Sequence, residues 1–253
     1  MKRFMMTLMV FAAALFITAP VNADQGAKDA NQTALDGAWS FTAGDVVHTA
    51  VFVDGYFSHS TFDVKNKQFM GTRGGPYQLD GNDLSIVWQY DTELAAQEVN
   101  PETWVGKTTN FSINHIDGQV IRILINGMET QWNKIGTNDG PLAGVWRMTG
   151  RKQGDNISTT PLRDRRTLKI LTGDRFQWVA INIQTGAFSG TGGGTYTYEN
   201  GKYTENIEFF SRDNSRVGAS LEFDGVMQDG TWHHSGLSSA GNPIYEIWGK
   251  LEK

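Results

Sequence analysis

Three runs of this chain set ionisable side chains among apolar and aromatic residues: Glu205 in "YTENIEFF", His233-His234 in "TWHHSG" and Glu246 in "PIYEIW". Glu205, His233 and Glu246 could form a general acid/base set, or two of the carboxylates could flank a glycosidic bond. The histidine pair is a poor metal site. Adjacent strand residues point to opposite faces, and the chain has no Cys to complete a ligand set. No metal or cofactor is therefore assigned. "SRDNSR" (211–216) offers Arg212 and Arg216 to an anion, or is a solvated turn. No Ser sits in a G-x-S-x-G context.

Strands must carry these groups. The runs "HTAVFVD", "YFSHSTFDV", "LSIVWQYD", "TTNFSINHI" and "QVIRILI" are short, β-branched and aromatic, and separated by Gly, Asp or Asn turns. The later runs "LKILT", "RFQWVAINI", "GTYTYE", "YTENIEFF", "ASLEFDGV" and "PIYEIW" read the same way. Period-2 alternation places Leu84, Ile86, Trp88 and Tyr90 on one face, aligned with Tyr203, Glu205, Ile207 and Phe209. In the last strand Met128, Thr130 and Trp132 align with Ile244, Glu246 and Trp248. Phe57, His59, Thr61 and Asp63 likewise align with Phe176, Trp178, Ala180 and Asn182. At "TWHHSG" the favoured register turns His233 inward and His234 outward, with the reverse also open. A one-residue slip would put Glu205 and Glu246 in solvent.

These alignments come from a duplication. "FMGTRGGPYQLDG" (69–81) returns as "FSGTGGGTYTYEN" (188–200), and Phe57–Thr92 lies on Phe176–Ser211 without a gap at an offset of 119 residues. "LDGAW" (35–39) lies on "LAGVW" (142–146) at an offset of 107, so the second copy carries about twelve extra residues in the polar stretch 151–166. The expected organisation is one barrel over 34–135, a linker over 136–141 and a second barrel over 142–253. The glycine phrase is followed by another strand, and neither a helix nor a suitable Lys is placed for a phosphate loop. Gly74, Gly75, Gly193 and Gly194 are instead read as structural, at a sharp bend or a close backbone approach.

The fold expected is all-β: two tandem antiparallel up-and-down barrels, with β-sandwiches as the alternative. Gly37-x-Trp39 and Gly144-x-Trp146, each opening a copy, resemble the G-x-W of the lipocalins and their calycin relatives. The whole chain looks like tandem lipocalin-like proteins that bacteria export. The resemblance implies that Trp39 and Trp146 are structural, crossing each barrel's closed end. It also implies an apolar small molecule held inside a barrel, usually without catalysis.

The first residues read as a secretory signal over 1–23, cleaved after Ala23, with a disordered segment over 24–33. The mature protein is thus expected to be periplasmic or secreted, with no integral membrane span. A net charge of −5 and no dense basic run after the N-terminus argue against nucleic acid. The leading function is binding of a small hydrophobic or amphipathic ligand, mainly in the second barrel. Its expected site is Trp178, Asn182, Tyr196, Tyr203, Glu205, Arg212, His233, Glu246 and Trp248. The alternatives are a lipocalin-like hydrolase, lyase or isomerase using Glu205, His233 and Glu246, and a non-catalytic interaction module with filled barrels.

Overall fold

The computed structural model describes residues 30–251 apart from Asn126 and Ser239. The expected signal segment lies outside them. Residues 30–35 are helical (α1), although the sequence reading left 24–33 disordered. Leu35 is fully buried, and Gln32 donates to the Tyr77 hydroxyl at 2.7 Å, which ties this turn to the barrel.

The first copy runs β1 (Gly37–Ala43), β2 (Val46–Val53), β3 (Tyr56–Asp63), β4 (Gln68–Asp80), β5 (Asp83–Val87), β6 (Tyr90–Asp91), the short helix α2 (Thr92–Ala96), β7 (Thr108–Ile116), β8 (Val120–Ile125) and β9 (Met128–Gly136). The second runs β10 (Gly144–Gln153), β11 (Asn156–Thr159), β12 (Arg165–Leu171), β13 (Arg175–Asn182), β14 (Phe188–Glu199), β15 (Lys202–Phe210), β16 (Ser220–Gln228), β17 (Thr231–Leu237) and β18 (Pro243–Lys250). Neighbouring strands pair antiparallel. β1 closes onto β9 and β10 onto β18, giving two closed eight-stranded barrels in tandem. Closure removes the open edges a sandwich would leave. The extra residues of the second copy form a hairpin: β11 folds back on β10, with Arg151 opposite Ser158.

Each barrel is shut at one end by the same device. Trp39 donates its indole N–H to the Leu35 carbonyl at 2.7 Å, and Trp146 donates to Leu142 at 2.8 Å. The Lys134 ammonium lies 4.9 Å from the Trp39 ring centre, and that of Lys250 lies 4.5 Å from the Trp146 ring. Both indoles are buried, so their apolar faces plug the wall while the N–H finds its partner.

Strands such as "AVFV" are apolar on both faces because both faces are covered, and "LKIL" departs from this only at Lys169. Ala50 and Phe52 belong to the first barrel's interior. Val51 and Val53 turn outward and pack with Val145, Leu168, Ile170, Val179 and Ile181 in a core between the barrels. Equivalent positions meet there: Phe69 stacks on Phe188 with ring centres 6.2 Å apart, and Ser58 hydrogen-bonds Gln177. The Gln177 amide also donates to Thr72 and Thr191, both at 3.0 Å. Same-on-same contact is the pattern of an approximate two-fold relation between the copies.

A bulge corrects one expected face. Gly193 opposes Phe209 while Gly194 opposes Ile207, which leaves Glu208 as the extra residue. Alternation therefore flips: Phe209 turns outward to stack on Phe62 at 5.0 Å, and Phe210 enters the barrel. Tyr90 likewise lies outside, hydrogen-bonded to Ser58 at 2.7 Å.

The glycine phrase permits this geometry. A Cβ on Gly75 would lie 1.9 Å from the Val87 carbonyl oxygen, and one on Gly194 would lie 2.0 Å from that of Asn206. We expect Gly75→Ala to destabilise the fold by more than about 3 kcal/mol in urea titration, because a backbone atom must move. Gly44→Ala, at a turn with open space around it, should cost about 1 kcal/mol. Equal losses would show that packing at the bulge is not the constraint.

Candidate functional site

Register makes the two barrels comparable position by position. Ala50 and Ile86 of the first correspond to Lys169 and Glu205 of the second, in matching strand pairs. Trp132 corresponds to Trp248, which places Ile123 opposite His234 and Thr130 opposite Glu246. Four uncharged interior positions thus become a lysine, two glutamates and a histidine.

Lys169 and Glu205 form a buried ion pair with Nζ and Oε1 2.8 Å apart. The ammonium also sits among four rings: Tyr203 at 4.7 Å, Trp232 at 5.0 Å, Trp248 at 5.3 Å and Phe223 at 5.9 Å. Desolvating both ions costs several kcal/mol, which the pair and the ring faces must offset together. Burial, together with the Glu205 charge, pushes the Tyr203 hydroxyl well above its usual range. That hydroxyl lies beside Glu205 without reaching hydrogen-bonding geometry.

His234 and Glu246 form a second pair across β17 and β18, with Nδ1 and Oε2 3.3 Å apart. Burial and the Lys169 charge lower the His234 pKa, so the ring is neutral. Burial opposes ionisation of Glu246, but contacts from His234, Lys169 and Trp248 outweigh it and hold that carboxyl below its usual pKa. A carboxylate only accepts, so His234 Nδ1 carries the proton and Nε2 presents a lone pair. Nε2 is buried and has no hydrogen-bond partner.

These groups border a cavity of about 260 Å³ with apolar walls from Trp178, Ile207, Phe210, Leu221, Phe223 and Ile244. At its rim Arg212 lies 5.5 Å from the Trp178 ring centre and donates to the Ser189 carbonyl. Of the site expected from sequence, Trp178, Glu205, Arg212, Glu246 and Trp248 line this cavity. Four residues do not. His233 faces away, bonded to the Tyr245 hydroxyl at 2.7 Å and to Thr231 at 3.0 Å. Trp232 fills the interior and shares its face with His234, which sets the opposite register from the favoured one. Asn182 caps the next turn by accepting from Gln184 and Thr185. Tyr196 is bonded to the Thr172 carbonyl at 2.6 Å, and Tyr203 is packed beneath Lys169. Alternation gives the face of Tyr203 but not its height in the barrel.

The first barrel is more polar than its sequence suggests. A cavity of about 450 Å³ opens beside His48, His59, Arg73, Phe41 and Trp132. His48 and His59 approach to 3.2 Å, and burial with the Arg73 charge lowers both pKa values. Arg73 Nε and Trp132 Nε1 are buried without partners. In the second barrel Trp248 donates instead to Glu246 at 3.2 Å. Among the described residues, no group of three or more His, Cys, Asp or Glu is placed to hold a metal ion, and no helix is long and apolar enough to cross a membrane.

No family model matches the chain, and no curated protein matches it. Among solved structures it is similar to a lipocalin-like protein from Bacteroides uniformis ATCC 8492, at 21% identity and a TM-score of 0.29. That match covers 40% of this chain and 99% of the other. The fold assignment itself rests on strand pairing: both halves are closed, antiparallel, eight-stranded barrels.

Two outcomes test the site's electrostatics. Lys169→Ala strands a buried carboxylate and should cost about 3–5 kcal/mol, whereas K169A/E205I, which copies the first barrel, should recover most of that loss in denaturant titration. The neutral histidines also set a pH dependence. His48, His59 and His234 have pKa values below 6.5 when folded, so below pH 6.5 the unfolded chain binds protons that the folded chain refuses. Unfolding free energy should fall between pH 7 and about pH 5.5, with a shallower slope in H234Q. An unchanged slope would mean that His234 titrates normally.

Proposed function

We propose that the protein is an exported small-molecule-binding protein whose main site is the second barrel. The observation that carries this reading is the exchange of Ala50, Ile86, Ile123 and Thr130 for Lys169, Glu205, His234 and Glu246. Buried charge is weak support for stability, and the first barrel closes without these four groups. A polar floor beneath aromatic walls suits a ligand with an apolar body and a hydrogen-bonding end. A donor on that end would satisfy His234 Nε2. The N-terminal basic, apolar and small-residue sequence supports export to the periplasm or beyond.

One observation favours a second reading. Neutral His234, oriented by Glu246, has the form of a general base, and Glu205 is already engaged by Lys169. Any acid/base set is therefore His234 with Glu246, and His233 has no part in it.

Native mass spectrometry of protein purified from the periplasm of its own host should reveal a bound small molecule. Trp178→Ala should weaken rebinding of that molecule about tenfold or more, read by titration, with little change in melting temperature. An empty protein that rebinds nothing from a host metabolite extract would refute the binding reading. Turnover of a metabolite pool that survives in both H234Q and E246Q would refute the catalytic one.

A further inference from the structure

Above the second cavity lies a groove of about 530 Å³ lined by Arg147, Arg151, Arg163, Arg165 and Arg166. We propose that the ligand is an anionic amphiphile whose oxyanion head seats on these arginines while its chain enters the barrel. The proposal rests on the reading that this cavity takes a ligand. Residues 147–167 hold six basic and two acidic side chains, a net charge of +4 in a chain whose total is −5. No acidic residue lines the groove. Among the described residues Arg147 and Arg166 donate only to backbone carbonyls, and none of the five arginines makes an ion pair. The guanidinium fork suits phosphate, sulfate or carboxylate oxygens, and the Thr159 and Thr160 hydroxyls add donors.

Groove and cavity adjoin at Met148 and Thr167, which border both. Along β12, alternation puts Arg165, Thr167 and Lys169 on one face, a line that starts in the groove and ends at the barrel floor. On β10, Arg151 stands directly opposite Glu246. The hairpin that carries much of the groove belongs to the insertion that the first copy lacks, and the first-barrel position matching Arg165 is Val46. Ile157 and Leu162 are exposed on the same insertion and could touch a chain still held in a bilayer.

The test uses the mature full chain and two monomeric probes of equal chain length, decyl phosphate and decanol, titrated by tryptophan fluorescence. Decyl phosphate should bind about tenfold tighter at low salt, and the advantage should shrink in 0.5 M salt. R151Q/R165Q should abolish that advantage while leaving decanol affinity and melting temperature unchanged. Equal affinity for both probes, or selectivity that survives R151Q/R165Q, overturns the headgroup proposal and leaves the cavity reading intact. If neither probe binds, and native mass spectrometry also shows an empty barrel, both readings fall. Flotation with phosphatidylglycerol but not phosphatidylcholine vesicles, alongside the decyl phosphate preference, would support a membrane source for the head. The same preference without flotation would support a soluble one.

Discussion

Closure of eight strands is the constraint from which the rest follows. A barrel of this size has an interior that side chains nearly fill, so each inward position is either packing or site. Both copies fill the closed end alike, with Trp39 held by the Leu35 carbonyl and Lys134, and Trp146 by the Leu142 carbonyl and Lys250. They diverge above it: the first carries Arg73 beside two histidines, the second Lys169, Glu205, His234 and Glu246.

The divergence has an energetic logic. Lys169 and Glu205 give up water and recover attraction from each other and from surrounding ring faces. Glu246 is held charged by His234, Lys169 and Trp248. Among the described residues, the Tyr203 hydroxyl, Trp232 Nε1 and His234 Nε2 are buried in this barrel without a hydrogen-bond partner, and of the three only His234 lines the cavity, where an occupant could offset the cost. In the first barrel Arg73 Nε and Trp132 Nε1 are likewise buried without partners.

Much of this was legible in the sequence. The repeat, the strand runs and the paired Gly-x-Trp pointed to two barrels because turn chemistry and alternation are local. Glu205 and Glu246 were placed inward by the same rule. Lys169 was missed because "LKIL" reads as a strand with its lysine in solvent, although its alignment with Ala50 marks it as interior. His234 needed Trp232 as a guide: the larger ring claims the interior, and the residue two positions on shares its face. Phe209 and Tyr90 were misplaced because a bulge reverses alternation, and only the glycines of the phrase hint at it. The arginine groove was read as a polar loop, since charge pattern alone does not reveal a hairpin folding beside a barrel mouth.

The meeting of Ser58 with Gln177 at the junction between copies has a consequence for how such a protein can specialise. Two separate identical chains would have to present serine to serine, or glutamine to glutamine, at that spot. Joining both halves in one polypeptide lifts this restriction, so each side can change alone while the other compensates. The same freedom extends inward: one half can hold to a role in support while its sibling takes up charges that would burden a symmetric pair twice over.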